Sequence, residues 1–91
     1  MTNGQIERMT EVKQAEGFHM RPALQFVDCA SRFESSISVC KGDQCVDGKS
    51  IMQLTMLAAT KGTQLKIVAE GIDAQDAVDA LVMVIENETN D

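Results

Sequence analysis

The strongest constraint on the fold is the two-residue polarity repeat of Gln64–Glu70. Leu65, Ile67 and Ala69 alternate there with Gln64, Lys66, Val68 and Glu70. A segment with this period is a strand with one dry face and one wet face. Ser36–Lys41 repeats the pattern, with Ile37 and Val39 inward and Ser36, Ser38 and Cys40 outward. The Gly42-Asp43 turn signal leads into a short returning strand, Gln44 to Asp47. Ile6–Lys13 carries a weaker version, in which Ile6, Thr10 and Val12 oppose Glu7 and Glu11 and Met9 breaks the pattern. Strands of this kind build a sheet buried on one side only, and the buried side needs helices to cover it.

Three segments supply them. The first helix is expected from Met20 to Phe33, with Met20, Ala23, Leu24, Val27 and Ala30 at helical spacing and Gln25, Asp28 and Arg32 on the wet face. Cys29 reads as a small buried apolar residue. Ser50 followed by Gln53 is a capping-box pattern that opens a short helix, Ile51 to about Ala58. Gly62 is a turn glycine beyond it. Asp73 is expected to cap a last helix bearing Ala77, Val78, Leu81, Val84 and Ile85 on one face. The predicted order is β-α-β-β-α-β-α, a two-layer α+β sandwich formed by one domain, residues 1–91, with loose residues 1–5 and a frayed tail from Asn87. A chain of 91 residues buries roughly two-thirds of its unfolded surface, enough to fold without staples.

Composition narrows the function classes. A net charge of −6, eight basic residues without a run, and no Trp or Tyr argue against nucleic-acid binding, which needs clustered cations and stacking platforms. No apolar run is long enough to span a bilayer, and Met1–Gln5 has neither the basic start nor the apolar stretch of a signal peptide, so a cytoplasmic location without membrane insertion is expected. Cys29, Cys40 and Cys45 lack C-x-x-C spacing and have one His in the whole chain as company, so no metal is expected. Cys40 and Cys45 are able to meet across a hairpin, but free thiols in a reducing compartment are the expected state.

That single His lies in Gly17-Phe18-His19-Met20-Arg21-Pro22-Ala23, which also holds the only Pro. Pro fits the first turn of a helix, so His19 falls at or beside the N-cap, with Arg21 just inside. First-turn amides lack intrahelical partners and the dipole end there is positive. This field favours the neutral, nucleophilic imidazole, and an anion bonded to the ring would meet both the amides and Arg21. Such a site suits accepting and releasing a phosphoryl group. The plainer reading is a tolerated surface His at a helix start. In the second helix Ile51, Met52 and Met56 are too many apolar groups for one stripe, and they are either core or an adaptable contact surface.

Three blocks carry a family resemblance: Gly17 to Ala23, Lys49-Ser50-Ile51-Met52, and Lys61-Gly62-Thr63 leading into Ile67-Val68-Ala69-Glu70-Gly71. Over about residues 6–87 the chain resembles the histidine-containing phosphocarrier protein, HPr, of the bacterial phosphoenolpyruvate-dependent sugar phosphotransferase system. The first block matches the active-site pattern Gly-apolar-His-x-Arg-Pro-Ala. The second matches the regulatory-serine region of Gram-positive HPr. The resemblance implies an open-faced sandwich, a four-stranded antiparallel sheet covered on one face by three helices. It implies a monomeric carrier without cofactor and without turnover of its own. Enzyme I would pass a phosphoryl group to Nδ1 of His19, Arg21 would steady it, and an enzyme IIA would receive it. Met20, Leu24, Ile51, Met52 and Met56 would form the docking surface. Ser50 would be the target of an HPr kinase/phosphorylase, its phosphorylated form assisting a catabolite-control transcription regulator. A phosphate at a helix N-cap meets free amides and adds roughly −1.5 to −2 charges beside Ile51 and Met52.

The chain departs from the family in three places. Met20 replaces a small residue, Asp28 stands where some relatives carry a basic one, and Glu16 precedes Gly17. If close to the ring, Glu16 would favour the charged imidazolium and repel a phosphoryl group. Arg21, Arg32 and Lys49 remain as candidate positive contacts. A regulatory binding module acting through Ser50, in carbon or nitrogen control, is the competing reading, and the retained His19 and Arg21 speak against it. Metal-chaperone sandwiches need paired thiols in a loop, and a hydrolase needs a second acid or base beside His19; neither is evident.

Overall fold

The computed structural model describes residues 5–86. The elements are β1 (Gln5–Glu11), α1 (Met20–Ala30), β2 (Ser36–Lys41), β3 (Gln44–Asp47), α2 (Ile51–Met56), β4 (Gln64–Glu70) and α3 (Ala74–Glu86). The strands form one sheet in the order β1-β4-β2-β3, and every neighbouring pair is antiparallel. The expected α+β order and the open-faced sandwich are both present. The expected loose start and frayed tail fall on residues 1–4 and 87–91, outside the described residues, except that Gln5 is already the first residue of β1.

The alternation in β2 and β4 decides the layering. Ile37, Val39, Leu65, Ile67 and Ala69 are buried in one core with Ala23, Phe26, Leu54, Leu57, Val78, Leu81 and Ile85 of the helical layer. β4 pairs on one side with β1, Arg8 opposite Ile67, and on the other with β2, Val39 opposite Ile67. β1 is held to α3 as well, where the Thr10 hydroxyl donates to Glu86 Oε2 at 2.6 Å.

Helix α1 differs from expectation in its end and in its buried face. It stops at Ala30 instead of Phe33, because the next turn tightens: the Arg32 and Phe33 amides donate to Cys29 and Ala30, three residues back. Lys49 Nζ then donates to the Phe33 carbonyl at 2.8 Å, giving a cation to this turn. The buried stripe is Pro22, Ala23, Phe26 and Ala30, while Met20 and Leu24 face solvent. Phe26 takes the central place because its ring meets the Phe18 ring edge-to-face, centroids 5.9 Å apart. Cys29 is half-buried against the core, and burial pushes its thiol pKa up.

Helix α2 ends at Met56, also short of its expected length, where Ala58 adopts a positive φ of 52° and breaks the helical path. Lys41 Nζ donates to the Leu57 carbonyl at this end. Asp73 sits at the start of α3, its carbonyl accepting from Ala77. Its carboxylate, however, does not cap that helix as expected. It accepts from the Ser35 hydroxyl and from the Ser35 and Glu34 amides, tying α3 to the loop before β2.

Cys40 and Cys45 correct a further expectation. They are joined by a disulfide and are not free thiols. Gly42, at φ +60°, takes the first central position of the two-residue turn, where a type II′ turn places glycine. This turn sets the register that puts Cys40 opposite Cys45. Among the described residues no helix is long and apolar enough to cross a membrane.

Two outcomes test this packing. Without reductant, a thiol reagent applied to the unfolded chain should modify one cysteine, Cys29, and after reduction all three, as read by intact mass; three modified without reduction would refute the cross-strand bond. The Ser35 hydroxyl, then the Glu34 amide, hold the Asp73 carboxyl below the ordinary carboxylate range. The folded state therefore binds this proton less readily than the unfolded chain. The stability gained is fully present above the unfolded value and lost as pH falls through the lowered folded value. Asp73→Asn should lower the urea midpoint by a constant amount above about pH 5 and by a shrinking amount below it.

Candidate functional site

The loop between β1 and α1 is held from both ends. The Gly17 amide donates to the Gln14 carbonyl at 2.9 Å, and the Phe18 amide donates across to the Ala59 carbonyl at 2.8 Å. Gly17 has φ +82°, and a Cβ there would stand 2.7 Å from the Ala59 oxygen, so both conformation and space require glycine. Phe18 goes into the core, and the next residue turns out. His19 is the N-cap of α1, with extended backbone at φ −91° and ψ −163°, and its carbonyl accepts from Ala23 at 3.0 Å.

The His19 side chain makes no capping bond to its own helix. Pro22 has no amide hydrogen, so the first turn of α1 carries one backbone donor fewer than usual. Two open depressions flank His19. One, about 440 Å³, is lined by Glu16, Phe18, Met20, Thr55 and Ala58–Thr60. The other, about 260 Å³, is lined by Gln14–Glu16, Arg21, Pro22 and Gln25. The structure thus brings His19 and Arg21 to one surface. It also brings Glu16 to His19: Oε1 stands 3.4 Å from Nε2, with the His side chain 38% and the Glu side chain 81% exposed.

Ser50 is the N-cap of α2, at φ −117° and ψ 112°, and its Oγ accepts from the Gln53 amide at 3.2 Å. Only half of the expected capping box forms. Gln53 Oε1 accepts from the Asp47 amide at 2.9 Å, while the Ser50 amide donates to the Asp47 carbonyl. The expected docking residues divide. Met20, Leu24, Met52 and Met56 are 56%, 52%, 71% and 64% exposed, whereas Ile51 is half-buried and packs against the core. Of the expected positive contacts, Arg32 pairs with Asp28 at 3.2 Å and Lys49 is turned to the Phe33 carbonyl, so neither faces His19. The Ala58–Thr60 wall of the site went unread in the sequence, because nothing local marks a loop that reaches His19 only through the Phe18–Ala59 bond. Among the described residues no group of three or more His, Cys, Asp or Glu is arranged to hold a metal.

Gly17→Ala should cost about 1–3 kcal/mol in urea unfolding, since it adds a Cβ against Ala59 at a left-handed φ. A loss below 0.5 kcal/mol would show that the loop is free to relax there.

The family profile described as "PTS HPr component phosphorylation site" matches residues 6–87. The HPr-like protein Crh of Halalkalibacterium halodurans is 42% identical over 83 residues, 91% of this chain and 99% of that protein. The phosphocarrier protein HPr of Haemophilus influenzae is 45% identical over 75 residues, 82% of this chain and 88% of that protein. In fold, the crystal structure of an HPr from Thermoanaerobacter tengcongensis superposes with a TM-score of 0.88 at 41% identity, covering 94% of this chain and 97% of that one. The glycine-pinned loop, the outward His19 and the open-faced sandwich are thus accompanied by sequence likeness over nearly the whole chain, and the chain belongs to the HPr family of phosphocarrier proteins of the phosphotransferase system.

Proposed function

We propose that residues 1–91 form a single phosphocarrier domain that accepts a phosphoryl group from enzyme I on Nδ1 of His19 and passes it to enzyme IIA-type acceptors in the cytoplasm. The observation that carries this reading is a half-exposed imidazole at the N-cap of α1 that does not cap its own helix. The positive end of α1 lies beside it and suits the anionic oxygens of a transferred group. Arg21 lines the same depression and supplies a full positive charge. The chemistry asks for little beyond placing and neutralising the group, and it asks for no cofactor.

Docking falls to the exposed apolar side chains near the ring. Met20 and Leu24 on α1 and Met52 and Met56 on α2 give a partner adaptable contacts, with Ile51 supporting them from the half-buried side. Ser50 is the regulatory position in this reading, the substrate of an HPr kinase/phosphorylase. Its phosphate would meet the start of α2 and set negative charge beside Met52, altering which partners dock, a catabolite-control transcription regulator among them. The carrier works as a monomer.

Transfer from phosphoenolpyruvate, catalysed by enzyme I of the same organism, tests the reading. Wild type should acquire an acid-labile, alkali-stable label and His19→Ala none. An unlabelled wild type, with the enzyme I active on another carrier, overturns it.

A further inference from the structure

We propose that Glu16 is a positioning residue for His19, its carboxylate holding the ring proton on Nε2 so that the Nδ1 lone pair is the one left to meet phosphorus. The inference rests on the reading of His19 as the phosphoryl acceptor and adds to it the residue that selects the nitrogen. Glu16 Oε1 lies 3.4 Å from Nε2. The turn at Gly17 and the Phe18–Ala59 bond fix the backbone of the two residues between them, which keeps the two side chains within reach of one another. Around the ring the remaining walls are uncharged: Thr55, Ala58, Ala59 and Thr60 on one side, Gln14 and Gln25 on the other. Arg21 is the other charged group there, and a cation has no affinity for a ring N–H.

The sequence alone casts Glu16 as an obstacle, a negative charge near an incoming phosphoryl group. With Glu16 on the Nε2 side, the Nδ1 side of the ring is left for the phosphoryl group. A carboxylate 3.4 Å from Nε2 favours the proton on that nitrogen through its charge and so biases the tautomer. The Nδ1 lone pair then forms the new N–P bond as the donor's bond to phosphorus breaks and its electron pair stays with the donor. The Nε2 proton is retained throughout, so the phosphorylated ring carries positive charge, and the Glu16 carboxylate is beside it. When the acceptor takes the phosphoryl group, the N–P pair returns to Nδ1 and the neutral Nε2–H tautomer is restored. No proton needs to leave or enter.

An exposed pair of this kind alters an equilibrium about two- to fivefold. Ring-15N NMR of the unphosphorylated protein at alkaline pH reads the tautomer ratio in wild type, Glu16→Gln and Glu16→Ala. The Nε2–H to Nδ1–H ratio should fall by that factor in both Glu16→Ala and Glu16→Gln, since each removes the charge beside Nε2. The maximal rate of phosphoryl acceptance from enzyme I should fall with the ratio, while the KM for enzyme I stays unchanged. An unchanged ratio in Glu16→Ala, or a faster transfer, overturns the role of Glu16 while labelled wild type keeps the carrier reading intact. A wild type that takes no label overturns the carrier reading itself.

Discussion

Everything in this molecule depends on a sheet that is dry on one face and wet on the other. Because Ile37, Val39, Leu65, Ile67 and Ala69 all bury toward the same side, all three helices must lie there. With every helix in one layer, the connections run along the edges of the sandwich, and a helix start at such an edge is open to solvent. The N-termini of α1 and α2 are both placed this way, and they carry His19 and Ser50.

The opening is made rigid by an apolar anchor next to His19. Phe18 puts its ring against Phe26 and its amide on Ala59, and His19, one residue further, has to face outward. A side chain on a free loop would pay ordering entropy each time a partner docked. Here the ordering is supplied by folding, and the imidazole is presented on backbone already fixed. Gly17 is what allows the backbone to turn so close to Ala59.

The sheet was legible because its signal is local: Gln64–Glu70 matches its expected bounds, and the period of two reports a face directly. Helix ends and tertiary links were not. Nothing around Asp73 tells that its carboxylate serves Ser35 and Glu34, since those groups come from 38 and 39 residues away. Helix α1 was given the wrong buried stripe because Met20 and Leu24 have the spacing of core residues, and only Phe18 shows that Phe26 takes the centre. The Cys40–Cys45 pairing was readable as a geometric option, but the expected compartment outweighed it. At the site, His19 and Arg21 were legible as a motif, while the Ala58–Thr60 wall and the side of the ring taken by Glu16 needed the folded chain.

The two helix starts use the same physics in opposite ways. Ser50 gives its Oγ to the Gln53 amide, so α2 has one of its first-turn donors satisfied from within. His19 gives its helix no side-chain bond, and the missing amide of Pro22 removes one donor that would otherwise need a partner. At α1 the cap side chain leaves the helix terminus unoccupied. At α2 a phosphate on Ser50 would meet a terminus whose nearest donor is already engaged by the same oxygen. The two starts thus differ in whether the cap side chain already occupies the terminus: at α1 it does not, at α2 it does. The proposed relay is served by the first arrangement, because a group that must be passed on should not be built into the structure that carries it.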